Sequence, residues 1–341
     1  MKDTWESLFV KEANAQKHSE GFIQECIKYA TKLQANNVPV IFDFKHLASI
    51  FDVDAKYLFF LCKDIDLHYK TYAIKKKANP KELRFLTAPD WNLKRIQLWI
   101  LRNILIRDGG VSTHAHGFVK QRSIATNAKA HEGAKWMLCV DLKDFFNNVR
   151  KSKVFQYFDS LGYEKSVTTA LTTFCTYEYH LPQGAPTSPC LSNLVAKELD
   201  ADIQSYCQKN GFTYTRYADD ITISSKTDIA PDVHEINKII CKHGFRLNRK
   251  KTKLIHQGQR MKVTGLTVGN GVHVPKAYKK EIFRELYFCK KYTPAVHSST
   301  MYPDKMFYKE WLLGKIQYVR SIDEVAGNKM LEQFNKLNWI L

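Results

Sequence analysis

The sequence lacks the patterns that mark several large classes of protein. None of its eight cysteines has C-x-x-C spacing, which argues against a zinc site and against a disulfide framework. No apolar run reaches the roughly 18 residues of a membrane-spanning helix, and the N-terminus lacks the apolar core of a signal peptide. These absences favour a protein of the reducing cytoplasm that has no membrane as partner.

Acidic residues are scarce relative to basic ones. The 341 residues include 34 Asp and Glu against 52 Lys and Arg, and the formal net charge is +18. An excess of this size predicts a polyanionic partner. Nucleic acid and an anionic membrane surface are the general alternatives, and we expect nucleic acid and no membrane. Apolar residues make up 44% of the chain, so we expect a packed protein of two or three subdomains.

Strand-like and helix-like segments alternate in a way that predicts an α+β architecture with an antiparallel core. Residues 1–65 are predicted to be helical and residues 66–90 to form a β-hairpin. Further along, we predict a strand at Trp136–Asp141 and one long helix at Ser188–Cys207. Residues 276–341 are predicted to form three helices.

Two adjacent carboxylates, Asp219 and Asp220, stand between the β-prone runs Phe212–Thr215 and Ile221–Ile223. A hairpin formed by these runs would place both carboxylates at or near its turn. Taken alone, an Asp-Asp pair is most often a solvated turn. Neighbouring aspartates repel each other, however, so a site that keeps both ionised usually holds a divalent cation. A cation with oxygen ligands is what phosphoryl transfer requires.

Two blocks upstream of this pair decide between the alternatives. Met137–Phe146 is a strand-like run that reaches Asp141 and continues into aromatic residues, and Leu181–Pro189 contains a Gln-Gly pair. In this order with the Asp-Asp block, the segments resemble the palm of a reverse transcriptase. The resemblance implies a right-hand polymerase with an N-terminal helical region (1–65), fingers (66–135), a palm of antiparallel sheet and helices (136–265), and primer-grip strands with a helical thumb (266–341).

The resemblance also implies site residues. Asp141, Asp219 and Asp220 would hold two Mg²⁺ ions, with Asp141 and Asp219 bridging the metals. An aromatic ring five residues after Asp141 would exclude the 2′-hydroxyl of a ribonucleotide. The residues predicted to bind the incoming deoxynucleoside triphosphate are Arg84, Lys76, Phe146, Gln183, Gly184 and Lys251, with Lys75 and Lys77 as alternatives to Lys76. Between Phe245 and Lys262 there are seven Lys or Arg and no acid, so we expect nucleic acid to lie along this segment.

Two further motifs resemble those of bacterial retron reverse transcriptases. Asn127–His131 matches an N-A-x-x-H segment, and Val263–Gly265 matches a V-T-G segment. This resemblance implies an enzyme that copies part of its own structured non-coding RNA into branched RNA–DNA (msDNA), primed from a guanosine 2′-hydroxyl. It further implies a bacterial cytoplasmic location, a role in antiphage defence, a separate effector protein and trimming of the template by a host RNase H. The residues predicted to bind RNA are Asn127, His131, Lys279, Lys280 and Arg284.

Three alternatives stay open. A reverse transcriptase of a group II intron or a diversity-generating element would share the palm blocks, although intron enzymes usually carry a maturation domain after the thumb, and this sequence ends too soon for one. A catalytically dead RNA-binding scaffold would not need Asp141, Asp219 and Asp220 together. A nuclease could use the same carboxylates, but the order of the blocks is that of a polymerase.

Overall fold

The computed structural model describes residues 5–75, 81–107 and 109–339. The chain forms two compact units, each made of segments that are not consecutive in the sequence. The first unit comprises residues 1–113, 143–201 and 240–246, and the second comprises residues 114–142, 202–239 and 247–341. The boundaries given above for fingers, palm and thumb stay a prediction.

Helices and strands alternate along the chain. The helices are α1 (Trp5–Ala15), α2 (Glu20–Ala35), α3 (Phe44–Ile50), α4 (Ala55–Lys63), α5 (Trp91–Ile100), α6 (Ile124–Lys129), α7 (Phe145–Asn148), α8 (Lys151–Ser160), α9 (Lys165–Cys175), α10 (Ser188–Val195), α11 (Lys197–Lys209), α12 (Val233–Lys242), α13 (Lys276–Tyr292), α14 (Pro294–Met301), α15 (Tyr308–Arg320) and α16 (Glu324–Asn335). The strands are β1 (Tyr69–Lys75), β2 (Leu83–Pro89), β3 (Trp136–Asp141), β4 (Thr213–Tyr217), β5 (Asp220–Ser225), β6 (Lys253–His256), β7 (Lys262–Val263), β8 (Leu266–Gly269) and β9 (Gly271–His273). Within the described ranges, no helix is both long and apolar enough to cross a membrane.

The first unit contains the N-terminal helices and the predicted hairpin. Helices α1 to α4 lie within residues 1–65, as predicted. Strands β1 and β2 pair antiparallel, with Tyr69 opposite Pro89 at one end of the register. Asp90 then begins α5, because its carboxylate accepts a hydrogen bond from the Leu93 N–H at 2.9 Å. This cap fixes where the hairpin ends and the helix starts.

A four-stranded antiparallel sheet with the order β4-β5-β3-β6 lies in the second unit and confirms the predicted α+β class. Strand β3 has the predicted bounds. Its residues Met137, Leu138 and Val140 are buried, because β3 pairs with β5 on one side and with β6 on the other. An apolar run of this kind is what an internal strand of a covered sheet requires.

The remainder of the second unit packs around an apolar core to which Met137 of β3 also contributes. The three-stranded sheet β7-β8-β9 and helices α13, α15 and α16 share this core with α6. The prediction of three helices in residues 276–341 is wrong, because the described residues 276–339 alone contain four. Thr293 adopts a φ of +66°, which ends α13, and Pro294, which has no N–H to donate, begins α14.

The single helix predicted at Ser188–Cys207 is likewise divided into α10 and α11. Ala196 leaves helical geometry with a ψ of 2°. The helical hydrogen bonds continue across it, from the Ala196 N–H to the Ser192 carbonyl and from the Asp200 N–H to the Ala196 carbonyl. The difference from the prediction is therefore a local departure of Ala196 from helical dihedral angles, with these two helical hydrogen bonds retained.

Candidate active site

The hairpin of β4 and β5 carries two of the three predicted catalytic carboxylates. Tyr217 and Asp220 are its last paired residues, so Ala218 and Asp219 form a two-residue turn. Asp141, the last residue of β3, is opposite Asp220 in the antiparallel register. Residues directly opposite each other in such a pair point to the same face of the sheet. The fold thus brings Asp141 and Asp220 together at one end of the sheet, with Asp219 adjacent in the turn.

Lys251 lies directly at this group of carboxylates. It forms an ion pair with Oδ1 of Asp141, and that hydrogen bond raises the pKa of Lys251 above its ordinary value. The main-chain N–H of Asn248 donates to the Asp141 carbonyl oxygen at 2.8 Å. The segment that contains Lys251 is therefore attached to the strand end that carries Asp141.

The three carboxylates repel one another. Asp220 is exposed as a whole residue, but its carboxyl group is partly withdrawn from water. This desolvation, together with the negative charges of Asp219 and Asp141, raises the pKa of Asp220 to about 6, and Lys251 offsets only part of the effect. The group therefore carries more negative charge than its surroundings neutralise.

This donor set fits a hard divalent cation. Three carboxylates supply oxygen ligands, and the raised pKa of Asp220 indicates that added positive charge would stabilise them. In the part of the chain that the structure describes, no three Asp, Glu, His or Cys side chains are already arranged to hold a metal ion. At Asp141 the ammonium group of Lys251 supplies the positive charge. A metal ion and Lys251 would therefore compete for the same carboxylate.

We predict that Asp220→Asn stabilises the metal-free protein, with a gain that depends on pH. Because the pKa of Asp220 is raised from 3.8 to about 6 on folding, ionisation of this carboxyl opposes folding. The cost should develop as the pH rises from about 4 to about 6 and stay constant above that. In thermal unfolding with EDTA, the Tm of Asp220→Asn should exceed that of the wild type. The difference should grow from about pH 4 to about pH 6 and then stay constant.

The matched control for this prediction is Asp228→Asn, whose side chain is 89% exposed in an ion pair with Lys135. The Tm of Asp228→Asn should equal that of the wild type at every pH. Added Mg²⁺ should reduce the advantage of Asp220→Asn, because the cation offsets the repulsion. Equal Tm values for Asp220→Asn and wild type from pH 4 to pH 8 would show that Asp220 is not under electrostatic strain.

The loop at residues 114–117 supports the turn, a contact that no sequence motif predicts. Its residue Ala115 forms a parallel bridge with Arg216 of β4, and the His116 N–H donates to the Arg216 carbonyl at 2.7 Å. Next in the loop, a Cβ on Gly117 would lie 2.6 Å from the main-chain nitrogen of Ala218. Only glycine permits so close an approach of two main chains.

Arg216 holds the same turn from within the protein. Its side chain is fully buried, and its Nη1 donates to the Ala218 carbonyl oxygen at 3.1 Å. Ala218 adopts a φ of +58°, a left-handed conformation that a non-glycine residue takes only when the surroundings enforce it. The arginine and the glycine loop together provide that enforcement.

Asn127 and His131 do not lie at the surface, so the prediction that they bind RNA directly is corrected. His131 is fully buried, with Nδ1 2.7 Å from Ser224 Oγ and Nε2 2.7 Å from Thr215 Oγ1. Burial, with a smaller effect from His116, lowers the pKa of His131 to about 3, so the ring is neutral. Asn127 is 1% exposed. The N-A-x-x-H segment ties α6 to β4 and β5, the strands of the Asp219 turn.

The V-T-G segment contacts the same helix. Val263 is buried, and the Thr264 hydroxyl donates to the Ile124 carbonyl oxygen at 3.2 Å. Both motifs that resemble retron enzymes therefore belong to one packed region around α6.

Several candidates for the nucleotide site lie in the first unit. Phe146 is half-buried and packs edge-to-face on Phe145, with ring centroids 5.6 Å apart. The Gln183 carbonyl oxygen accepts a hydrogen bond from the Thr87 N–H at 2.7 Å. Gly184 has a φ of +140°, and a Cβ there would lie 2.8 Å from the Thr87 carbonyl oxygen. The Gln-Gly pair thus rests directly on the main chain of β2.

The cationic candidates of the first unit are on the hairpin. Arg84 is exposed on β2, opposite Ile74. Lys75 is the last residue of β1. Lys76 and Lys77 lie outside the described residues. Which of the three lysines binds the triphosphate therefore stays open.

The predicted RNA-binding cations of α13 differ in how free they are. Lys279 donates to Asp323 at 2.7 Å, and both side chains are mostly covered. Lys280 is exposed, and Arg284 has a side chain that is 62% exposed and lies 3.7 Å from Glu285. Of the three, Lys280 and Arg284 are the ones that a phosphate can approach without breaking a short ion pair.

A cavity of about 660 Å³ in the second unit opens beside the carboxylates Asp141 and Asp220, which form part of its lining. Its basic lining residues are Lys250, Lys251, Lys253, Arg260 and Lys262. All five come from the segment between Phe245 and Lys262 that has no acidic residue. A basic cavity next to paired carboxylates is suited to a phosphate-bearing ligand. The basic side chains would attract its phosphates, and a metal ion held by the carboxylates would contact them.

Comparison with known proteins defines the class. Residues 74–268 match the family of reverse transcriptases, RNA-dependent DNA polymerases, and this range includes all three carboxylates. Retron Ec86 reverse transcriptase from Escherichia coli is 33% identical over 311 residues, which cover 90% of this chain and 92% of that protein. Retron Mx162 reverse transcriptase from Myxococcus xanthus is 30% identical over 312 residues, covering 80% of this chain and 62% of that protein.

The protein is therefore an RNA-directed DNA polymerase with the right-hand polymerase fold of its family, whose members generally use divalent metal ions. More specifically, it belongs to the retron reverse transcriptases. Among solved structures, telomerase from Candida albicans aligns with 77% of this chain and 55% of its own, at 12% identity and a TM-score of 0.46, a similarity too weak to add to this assignment.

Proposed function

We propose that the chain copies part of a structured RNA of its own into DNA, starting from the 2′-hydroxyl of a guanosine in that RNA and leaving a branched RNA–DNA molecule. The observation that carries the proposal is the register of Asp141 opposite Asp220, with Asp219 in the adjoining turn, beside a basic cavity. The similarity to retron enzymes and the packing of both retron-type motifs around α6 favour the branched product over an ordinary primer extension.

In this proposal Asp141, Asp219 and Asp220 hold two Mg²⁺ ions, which when bound would activate the priming hydroxyl and stabilise the leaving pyrophosphate. The pairing with Asp141 raises the pKa of Lys251 and keeps it protonated. In this proposal a metal ion at Asp141 displaces Lys251, which would then give its proton to the pyrophosphate as the product leaves. The basic residues of the cavity beside the carboxylates hold the phosphates of the nucleic acid.

In this proposal the candidate residues of the first unit bind the incoming deoxynucleoside triphosphate. Arg84 and one of Lys75, Lys76 and Lys77 would meet its phosphates, and Gln183-Gly184 would pack against it. Phe146 would exclude a 2′-hydroxyl. We further propose, on the family resemblance, a separate effector protein, a host RNase H and a role in antiphage defence.

The test is to purify the protein from bacteria that carry its gene with the flanking DNA, and to sequence the nucleic acid that comes with it. We expect a DNA strand whose 5′ end is joined to an RNA guanosine by a 2′–5′ bond, released by a debranching enzyme. Protein with Asp219→Asn should carry the RNA without DNA. A copurified DNA with a free 5′ end, or one primed by a 3′-hydroxyl, would contradict the proposal.

We predict that Phe146→Ala increases the use of ribonucleotides. Removal of the half-buried ring opens the space that a 2′-hydroxyl would occupy. The measurement is the ratio of rGTP to dGTP incorporation on a primed RNA template, and we expect it to rise at least about tenfold, as loss of a steric exclusion worth a few kcal/mol implies. Phe60→Ala, which removes an exposed ring from α4, is the control and should leave the ratio unchanged. An unchanged ratio in Phe146→Ala would assign the ring to packing alone.

A further inference from the structure

A second cavity of about 600 Å³ lies in the second unit, away from the residues discussed so far as catalytic, along α13 and α14. We call it the α13–α14 pocket. Residues that line it include Arg284, Phe288, Tyr292, Val296, Met301 and Tyr302. Its size is within the range of small-molecule sites, and its walls are mainly aromatic or apolar.

The floor of the α13–α14 pocket is held rigid by one buried carboxylate. Glu285 accepts hydrogen bonds from His297 Nε2 at 2.9 Å, from the Tyr308 hydroxyl at 3.0 Å and from the Tyr302 hydroxyl at 3.1 Å. Burial works against the charged carboxylate, but these hydrogen bonds outweigh it and lower the pKa of Glu285. The rings of His297, Tyr302 and Tyr308 are thus all held by the Glu285 carboxylate. Because the pocket is pre-formed, it loses little conformational entropy when it binds a flat ligand.

A column of stacked rings leads from this floor to the solvent. His297, which is buried, stacks on Phe288 with centroids 5.5 Å apart, and Phe288 stacks on Tyr292 at 6.1 Å with an interplanar angle of 13°. Tyr292 is 47% exposed. The column therefore ends at a ring that is partly open to solvent. Lys291 lies over this ring, and a planar base would continue the stack once the lysine turns away.

The surface around the pocket is positively charged. Lys280, Arg284, Lys290 and Lys291 are exposed on α13. The acids of this helix are already engaged, because Glu281 pairs with Lys315 and Glu285 is buried beneath its three donors. Lys291 Nζ lies 4.8 Å from the Tyr292 ring centroid, and its exposed side chain can turn from the ring toward a phosphate. An apolar protein segment would contact the rings but not the cations. A nucleotide would contact both, because its base stacks on the rings and its phosphates pair with the cations.

We propose that the α13–α14 pocket binds an unpaired nucleobase of a single-stranded RNA segment. The base stacks on Tyr292 and enters between Val296 and Met301, while the flanking phosphates contact Arg284 and Lys291. This site requires only that the protein binds RNA, as its family does, and it does not depend on priming from a 2′-hydroxyl. Its role is to read a single-stranded position next to a duplex, where a base is free to leave the stack.

The test compares two exposed tyrosines of the same helix. The probe is a six-nucleotide RNA of uridines with one central 2-aminopurine, whose fluorescence falls when the base stacks. Wild-type protein should quench it. Tyr292→Ala should reduce the quenching and weaken the dissociation constant by about tenfold, as the loss of one base–aromatic stack predicts. Tyr292→Phe should restore both values. Tyr287→Ala, which removes a ring that is 59% exposed and is not in the pocket lining, should change the dissociation constant less than about twofold.

A second measurement separates this site from other RNA contacts. The same RNA with 4-thiouridine in place of the central base should crosslink to a peptide that includes Tyr292, and Tyr292→Ala should remove that crosslink. Extension of a preformed primer–template should be unchanged in Tyr292→Ala. This result would show that the fold and the active site are intact and that polymerase activity does not depend on the α13–α14 pocket. Equal binding and quenching by all four proteins would overturn the proposal, as would crosslinks only to the basic cavity beside Asp141. Binding of a protein segment to the pocket, with RNA binding unaffected by Tyr292→Ala, would also overturn it.

Discussion

Asparagine in place of Asp219 should lower RNA-templated DNA synthesis by at least about 10³-fold while leaving the fold intact. The amide has nearly the same size as the carboxyl group, so the turn between β4 and β5 keeps its shape. The change removes a negative charge that, in the proposed function, bridges two metal ions. The measurement is the rate of deoxynucleotide incorporation on a primed RNA template in Mg²⁺, with thermal unfolding as the check on folding.

The control for Asp219→Asn is Asp228→Asn, the same chemical change at a side chain that is 89% exposed on the same unit. It should keep the wild-type rate. If Asp219→Asn also kept a rate within tenfold of wild type, the assignment of the turn as the metal site would fail. The two variants differ in position only, so a general effect of lost charge cannot account for a difference between them.

The second large effect is expected from Gly117→Ala, a change in a residue outside the predicted catalytic and binding sets. Its Cβ would lie 2.6 Å from the Ala218 nitrogen and 3.1 Å from the Tyr217 carbonyl carbon, and both are main-chain atoms that no side-chain rotation can move aside. Relief therefore requires the loop or the turn to shift. A displacement of about 1 Å in catalytic groups can cost on the order of 10²-fold in rate, and we expect a loss of that size in DNA synthesis.

Gly269→Ala is the matched control for Gly117→Ala. A Cβ at Gly269 meets no atom within 4 Å, and its φ is not in the left-handed region. This variant should synthesise DNA at the wild-type rate. If Gly117→Ala binds RNA normally and unfolds at nearly the wild-type temperature but has lost its rate, the loop acts by positioning the turn. A wild-type rate for Gly117→Ala would show that the turn tolerates the shift.

The sequence located the carboxylates because their signals are local. Asp219 and Asp220 stand between two runs that pair with each other, and Asp141 ends a run apolar enough to form an internal strand. The Gln183-Gly184 pair also stands in a short motif. Its role in nucleotide binding stays a prediction, and the structure shows that a side chain at Gly184 would collide with the main chain of β2. These motifs depend on a few neighbouring residues, which is why they could be predicted.

Features that depend on distant parts of the chain could not be predicted. Gly117 meets Ala218 only after the loop has been placed beside β4, and nothing near Gly117 in the sequence reveals that contact. His131 was predicted to bind RNA because a polar side chain in a motif does not show which way it faces. Nothing in the sequence indicates that Arg216 is buried, because arginine side chains in proteins are mostly exposed.

The interleaving of the two units has a consequence for the order in which the protein can form during synthesis. The sheet that carries the carboxylates needs β3, then the β4–β5 hairpin, and finally β6, which pairs with β3 through residues up to His256. Strand β3 must therefore leave the ribosome long before its second partner, while residues 143–201 join the other unit in the meantime. Lys251 arrives just ahead of that last strand, so the cation that neutralises Asp141 reaches it as the sheet closes. A nascent chain released before His256 would hold all three aspartates without the strand that completes their sheet.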